Sequence, residues 1–230
     1  MGTGFDINVI IRSLPYLFGT GMVFSLKLTF LAMIGGLAVG VVLAMMRLSS
    51  IRVVSLIAAA YVNLLRSIPL ILVIFWFYFL VPQIAAWIVN AKQPVQVGGF
   101  MSAVITFALF EAAYYCEIIR AGIRSIPKSQ VMASSALGMT YWTTMRWIVL
   151  PQALRTMTPV LFSRTLVLFQ DTALVYVLSL TDFFGAASQV AQRDSRMVEM
   201  YLFVAVVYFV MCFGASLAIK ALQSKIAVMR

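Results

Sequence analysis

The residues equipped for chemistry are few, and the informative ones sit among apolar neighbours: Glu111 and Glu117 in one stretch, Arg164 in another, Lys27 in a third. What they can do is bounded by what the chain lacks. Histidine is absent, which removes the usual general base, the commonest metal ligand and the physiological pH switch together. Glu111 and Glu117 do not form a paired-carboxylate site, because a spacing of six residues sets them about 120° apart around an ideal helix. Cys116 and Cys212 each lie in an apolar stretch without metal-ligand spacing. They read as two small buried hydrophobes, with a disulfide as the alternative. No glycine-rich phosphate loop ends in Gly-Lys-Ser or Gly-Lys-Thr, so the chain is not itself an ATPase. No nucleophile, acid and base converge, and what remains is the electrostatics of charge in apolar surroundings.

The elements that must position those charges follow from composition. The 230 residues are 63% hydrophobic and 10% charged, with a mean hydropathy of +1.02, whereas soluble domains are nearer a quarter charged. The chain is read as all-α, with five crossings at about residues 14–46, 55–89, 100–119, 153–180 and 197–219, each supplying roughly the twenty residues that a bilayer core needs. Arg66 and Pro69 interrupt the second, and Pro159, Arg164 and Asp171 the fourth, which predicts bent or broken helices there. The connections on one side hold Arg47, Arg52, Arg66, Arg120, Arg124, Lys128, Arg146, Arg155, Lys220, Lys225 and Arg230. Those on the other hold Arg12, Lys92, Arg193 and Arg196. This bias predicts a cytoplasmic C-terminus and an external N-terminus, and it accounts for the net charge of +10 without a nucleic-acid partner. No short apolar core precedes a small-residue cleavage site, no linker or repeat divides the chain, and residues 1–230 are expected to form one membrane domain.

Depth along these spans gives each charge its options. Glu111 lies about 13 Å of helix from Arg120, near mid-bilayer, where a carboxyl either faces a water-filled cavity or is an ion-paired or neutral group that fixes packing. Glu117, with Arg120 and Arg124 at helical spacings, reads as structural. Lys27 sits about 30 Å before Arg47, at the outer interface, where snorkelling is the default. Arg164, about 16 Å into the fourth span, is too deep to snorkel and is the best candidate to meet an anionic substrate.

Between the third and fourth spans, residues 125–151 are too ordered in pattern for a slack loop. Pro127 suits a helix start. Gln130 leads into the small-residue run Ala133, Ser134, Ser135, Ala136, and Leu137 is followed by Gly138, which suits a helix C-cap. Tyr141, Trp142, Met145, Trp147 and Ile148 follow as an interfacial anchor. Gly138, nine intervening residues and then Ile148-Val149-Leu150-Pro151 resemble the signature loop of ABC importer permeases. The Glu-Ala-Ala triplet of that pattern is here Met132-Ala133-Ser134. Asn63 to Leu70, Ala113 to Ile126 and Gln152 to Arg155 resemble the polar amino-acid branch of the family. Phe169 to Leu180, Thr181 to Phe184 and Val198 to Met200 look like the permeases of bacterial glutamate/aspartate importers.

The resemblance covers nearly the whole chain and implies a type I ABC importer permease in the bacterial inner membrane. It further implies a cytoplasmic ABC ATPase dimer that holds ATP and Mg, a second permease, identical or homologous, and a periplasmic amino-acid-binding protein. No cofactor is expected on this chain. Gln130, Ala133, Ala136, Leu137 and Gly138 would couple to the ATPase, and Arg164, Glu111 and Lys27 would lie on the substrate path. A stand-alone secondary transporter or channel is the alternative, and it would be expected to show internal repeats and half-helices around a midplane site.

Overall fold

The computed structural model describes residues 5–91, 93 and 97–227, and every regular element in them is helical. Lys92, Arg230 and the side chain of Lys225, which entered the charge count above, lie outside the described residues. In chain order the helices are α1 (Ile7–Leu48), α2 (Arg52–Ser67), α3 (Leu70–Ile88), α4 (Gly99–Arg124), α5 (Lys128–Ala136), α6 (Tyr141–Leu178), α7 (Phe183–Arg193) and α8 (Met197–Ala227). Five of them, α1, α3, α4, α6 and α8, are long and apolar enough to cross a membrane.

The boundaries differ from the sequence reading in instructive places. Helix α1 begins at Ile7 rather than near residue 14, because Asp6 caps it by accepting a hydrogen bond from the Asn8 N–H. The expected second span, 55–89, is two helices. Pro69 offers no N–H and drives Ile68 into an extended conformation, so α2 stops at Ser67 and α3 starts at Leu70. Pro159, by contrast, neither breaks nor ends α6, which stays helical from Leu150 to Asp171. That helix opens at Tyr141, well before residue 153, and tightens to a 3₁₀ turn only at Thr172–Leu178, ending at Ser179 in the left-handed region.

Wide π turns at Trp76–Leu80 and Met145–Val149 end two residues before Pro82 and Pro151. Widening the turn ahead of a proline relieves the clash between its ring and the carbonyl four residues back, so these helices continue where a standard α-turn would kink.

Helix α4 is the centre of the bundle, the most buried of the five candidate spans. It packs most extensively on α1, and glycines make the approach possible. A Cβ on Gly36 would come within 3.0 Å of the Ala108 carbonyl oxygen and of the Glu111 Cβ, and one on Gly40 within 2.9 Å of the Tyr115 Cβ. Small residues at such contacts let membrane helices associate through close van der Waals packing. At one end of the bundle α7 locks onto α1: the Phe183 N–H donates to Ser25 Oγ at 3.0 Å, and a Cβ on Gly21 would collide with Phe183 and Ala186. The Arg12–Asp194 pair at 2.8 Å joins the same elements. Hydrogen bonds from Arg193, then the hydrogen bond and charge of Arg12, draw the Asp194 carboxyl down to about 2. Cys116 and Cys212 are both buried and free.

Candidate functional site: an arginine-lined cavity between the spans

Glu111 lies in mid-α4, opposite the glycine face of α1, and its side chain is fully buried. A buried carboxylate needs a cation and satisfied lone pairs, and Arg164 of α6 supplies both. Arg164 Nε donates to one Glu111 oxygen at 2.8 Å while Nη2 donates to the other, a bidentate fork. The guanidinium also stacks 3.7 Å from the centroid of the Tyr114 ring. Next to Glu111 on α4, Tyr115 shares a hydrogen bond of 2.9 Å with Thr165 of α6, fixing the register of the two helices. The open alternative for Glu111 is thereby narrowed: its carboxylate is occupied by Arg164. The guanidinium, however, is not used up. Its side chain is 16% exposed, and Nη1 makes no hydrogen bond among the described residues.

What Arg164 faces is a cavity of about 450 Å³, lined also by Arg66, Ser67, Pro69, Tyr114 and Asp171. That size falls in the roughly 300–1,000 Å³ range of small-molecule sites. Asp171, at the end of the regular part of α6, stands 3.9 Å from Arg164 and is partly exposed to the cavity. Arg66 corrects the sequence reading. Counted above among the flanking charges, it lies in the last turn of α2, about 21 Å of helix beyond Arg52 and beside Arg164. Its guanidinium is 5.4 Å from the centroid of the same Tyr114 ring. Sequence reasoning named Arg66 and Asp171 only as interruptions of their spans and passed over Tyr114; an arginine three residues before a proline, inside an otherwise apolar run, was the available signal for the site.

Lys27 is not brought to this cavity. It is exposed on α1 and does not line the cavity. Glu117 pairs with Arg120, as its spacing suggested, and with Arg47 of α1 at 3.4 Å.

The connecting segment is a short helix, α5, with Pro127 at its N-cap. Gln152 Nε2 donates to Gln130 Oε1 at 2.7 Å, and Ser134 and Thr144 share a buried hydrogen bond of 3.0 Å, so α5 is fastened to α6. Its free face presents Ala133, Ala136, Leu137 and Gly138, with Leu137 81% exposed. Gly138 ends the helix at φ +77°, a left-handed conformation that glycine adopts without a Cβ penalty. The Leu137 N–H donates to the Ala133 carbonyl and the Met139 N–H to the Ser134 carbonyl, closing the cap.

Comparison with known proteins agrees with this architecture. Residues 36–228 match the family described as binding-protein-dependent transport system inner membrane component. The glutamate/aspartate import permease protein GltK of Escherichia coli O6:H1 is 49% identical over 223 residues, covering 97% of this chain and 99% of that protein. The arginine transport system permease protein ArtQ of Bacillus subtilis is 31% identical over 96% of this chain and 97% of its own. Among solved structures, an amino acid ABC transporter crystallised with histidines superposes with a TM-score of 0.87 at 30% identity, covering 98% of this chain and 100% of its own. The inward-facing MetNI methionine ABC transporter, at 20% identity and a TM-score of 0.65, shares the fold. The chain therefore belongs to the family of inner-membrane components of binding-protein-dependent transport systems, and is a permease subunit of an ABC importer.

Proposed function

We propose that this permease forms the translocation path for acidic amino acids, glutamate and aspartate, across the bacterial inner membrane. The observation that carries the reading is Arg164, held by buried Glu111 yet open to a 450 Å³ cavity among the spans, in a chain 49% identical to a protein named for glutamate/aspartate import. A dicarboxylic amino acid brings two carboxylates and one ammonium. Arg164 stays charged in an apolar setting and offers its remaining donors to a carboxylate. Asp171, on the same wall, is placed to take the ammonium.

The energy comes from separate cytoplasmic subunits that bind ATP and Mg and dock on Gln130, Ala133, Ala136, Leu137 and Gly138. Because α5 is fastened to α6 through Gln130 and Ser134, movement of the docked ATPase passes to the helix that carries Arg164. A periplasmic binding protein delivers the substrate, and a second permease, identical or homologous, completes the path. Lys27, exposed on α1, would join it from the outer end. The test is glutamate uptake into proteoliposomes holding the whole complex. Uptake should require ATP on the cytoplasmic face and continue when ion gradients are collapsed. Uptake driven by an ion gradient without ATP would make the chain a secondary transporter instead.

A further inference from the structure

We infer that Arg66 is the residue that selects a dicarboxylic amino acid over its amide, by taking the side-chain carboxylate while Arg164 takes the other; this rests on the proposed acidic substrate. Arginines of the described residues that make ion pairs are committed elsewhere: Arg12 and Arg193 to Asp194, Arg47 and Arg120 to Glu117, Arg196 to Glu199, and Arg164 to Glu111. Arg66 lines the cavity and is exposed in it, with no carboxylate within 4.0 Å among the described residues. It rests on the face of Tyr114, which Arg164 shares, and its charge reaches Glu117 only from beyond ion-pair distance. A guanidinium without an ion pair beside a half-committed one leaves two sets of donors for anions and one carboxylate, Asp171, for a cation.

That set matches the charges of a dicarboxylic amino acid one for one. An amide analogue matches all but one and leaves Arg66 facing a neutral group. Selectivity of this kind arises because a site built for a charged partner is left unpaired by the analogue lacking it.

The backbone around Arg66 suits the task. It stands one residue before the chain leaves helix α2, and across the Ser67–Pro69 break α3 begins with Leu70 on the same cavity. The N-terminal end of α3 adds positive potential there, as half-helix ends do at anionic groups in membrane carriers. Arg66 is in the last turn of α2, on an exposed side chain, so its guanidinium can shift toward a bound carboxylate without disturbing α4 or α6.

The test is equilibrium binding of radiolabelled glutamate to the purified permease–ATPase complex in nanodiscs, without the external binding protein, competed by unlabelled glutamate or glutamine. The wild-type complex should prefer glutamate. Arg66→Gln should assemble in normal yield and lose about ten- to a hundredfold in glutamate affinity, the size of one charge-assisted contact, with glutamine affinity unchanged. Arg66→Lys should recover part of the preference. If Arg66→Gln keeps the full preference, or weakens both ligands equally, Arg66 is not the selector, while the acidic-substrate reading stands. A wild-type complex that does not prefer glutamate would defeat that reading itself.

Discussion

At the scale of single residues, the pattern of the chain exposed the charges that are costly to bury and misjudged one that is not. Glu111 and Arg164 stood out because nothing near them in sequence neutralises them, and the structure pairs them with each other across α4 and α6. Arg66 was counted with the connecting charges, and as an interruption of the second span, because basic residues near span ends are the ordinary signal of topology. Only the break at Pro69, which starts α3 afresh, shows that it belongs to the cavity. Asp182 was quoted only within the family resemblance. It is fully buried and caps α7, accepting hydrogen bonds from the N–H groups of Phe184 and Gly185. Burial pushes its carboxyl up to about 7. A folded pKa above the unfolded value means that ionisation opposes folding, so stability should fall as pH rises from about 4 toward 7 and then level off. Asp182→Asn keeps an acceptor without the charge, and its thermal midpoint in detergent should be flat over that range. Asp182→Ala also loses the cap, and should lie about 1 kcal/mol below Asp182→Asn at every pH. A wild-type midpoint that rises between pH 4 and 7 would contradict this.

At the scale of elements, hydropathy located five spans but not how their helices are joined. Apolar runs record what lipid accepts, and they carry little trace of hydrogen bonding along the backbone. Pro69 and Pro159 look alike in sequence, yet one separates two helices and the other sits inside one. At Pro159 the helix runs on, and the Ser163 hydroxyl donates to the Pro159 carbonyl, whereas at Pro69 α3 starts afresh. Helix α5 was legible from Pro127 and Gly138 because its ends are set by local backbone chemistry. The α1–α4 contact was not, since glycine spacing matters only once two helices meet. Gly36 is its clearest element-scale test: Gly36→Leu must displace the Ala108 carbonyl or Glu111 itself. Overpacking of this kind typically costs about 1 to 3 kcal/mol. Complex yield and thermal midpoint in detergent should both fall, while Gly19→Leu, where nothing lies within 4 Å of the added carbon, should leave them unchanged.

At the scale of the whole molecule, the chain is a membrane frame that holds a charged cavity at one level and the exposed short helix α5 at another, joined through α6. Fold and family were readable because a lipid-facing composition and a fixed loop spacing are properties of the chain itself. The composition of the cavity depends on four helices meeting, α2, α3, α4 and α6, and no local window of sequence reports that. The central claim is that Arg164 serves substrate as well as structure, and the two roles separate in one comparison. Arg164→Met alone strands Glu111 and should reduce assembled complex, because an unpaired buried charge costs about 3 to 5 kcal/mol. Replacing both partners, Arg164→Met with Glu111→Met, removes that penalty and should restore complex yield. The decisive measurement is glutamate uptake by the restored double variant, with its ATPase and binding protein present. Normal assembly with uptake reduced at least about tenfold, the scale of one lost charge-assisted contact, is the predicted result. Normal assembly with wild-type uptake would show that the pair is structural only and that the substrate path lies elsewhere.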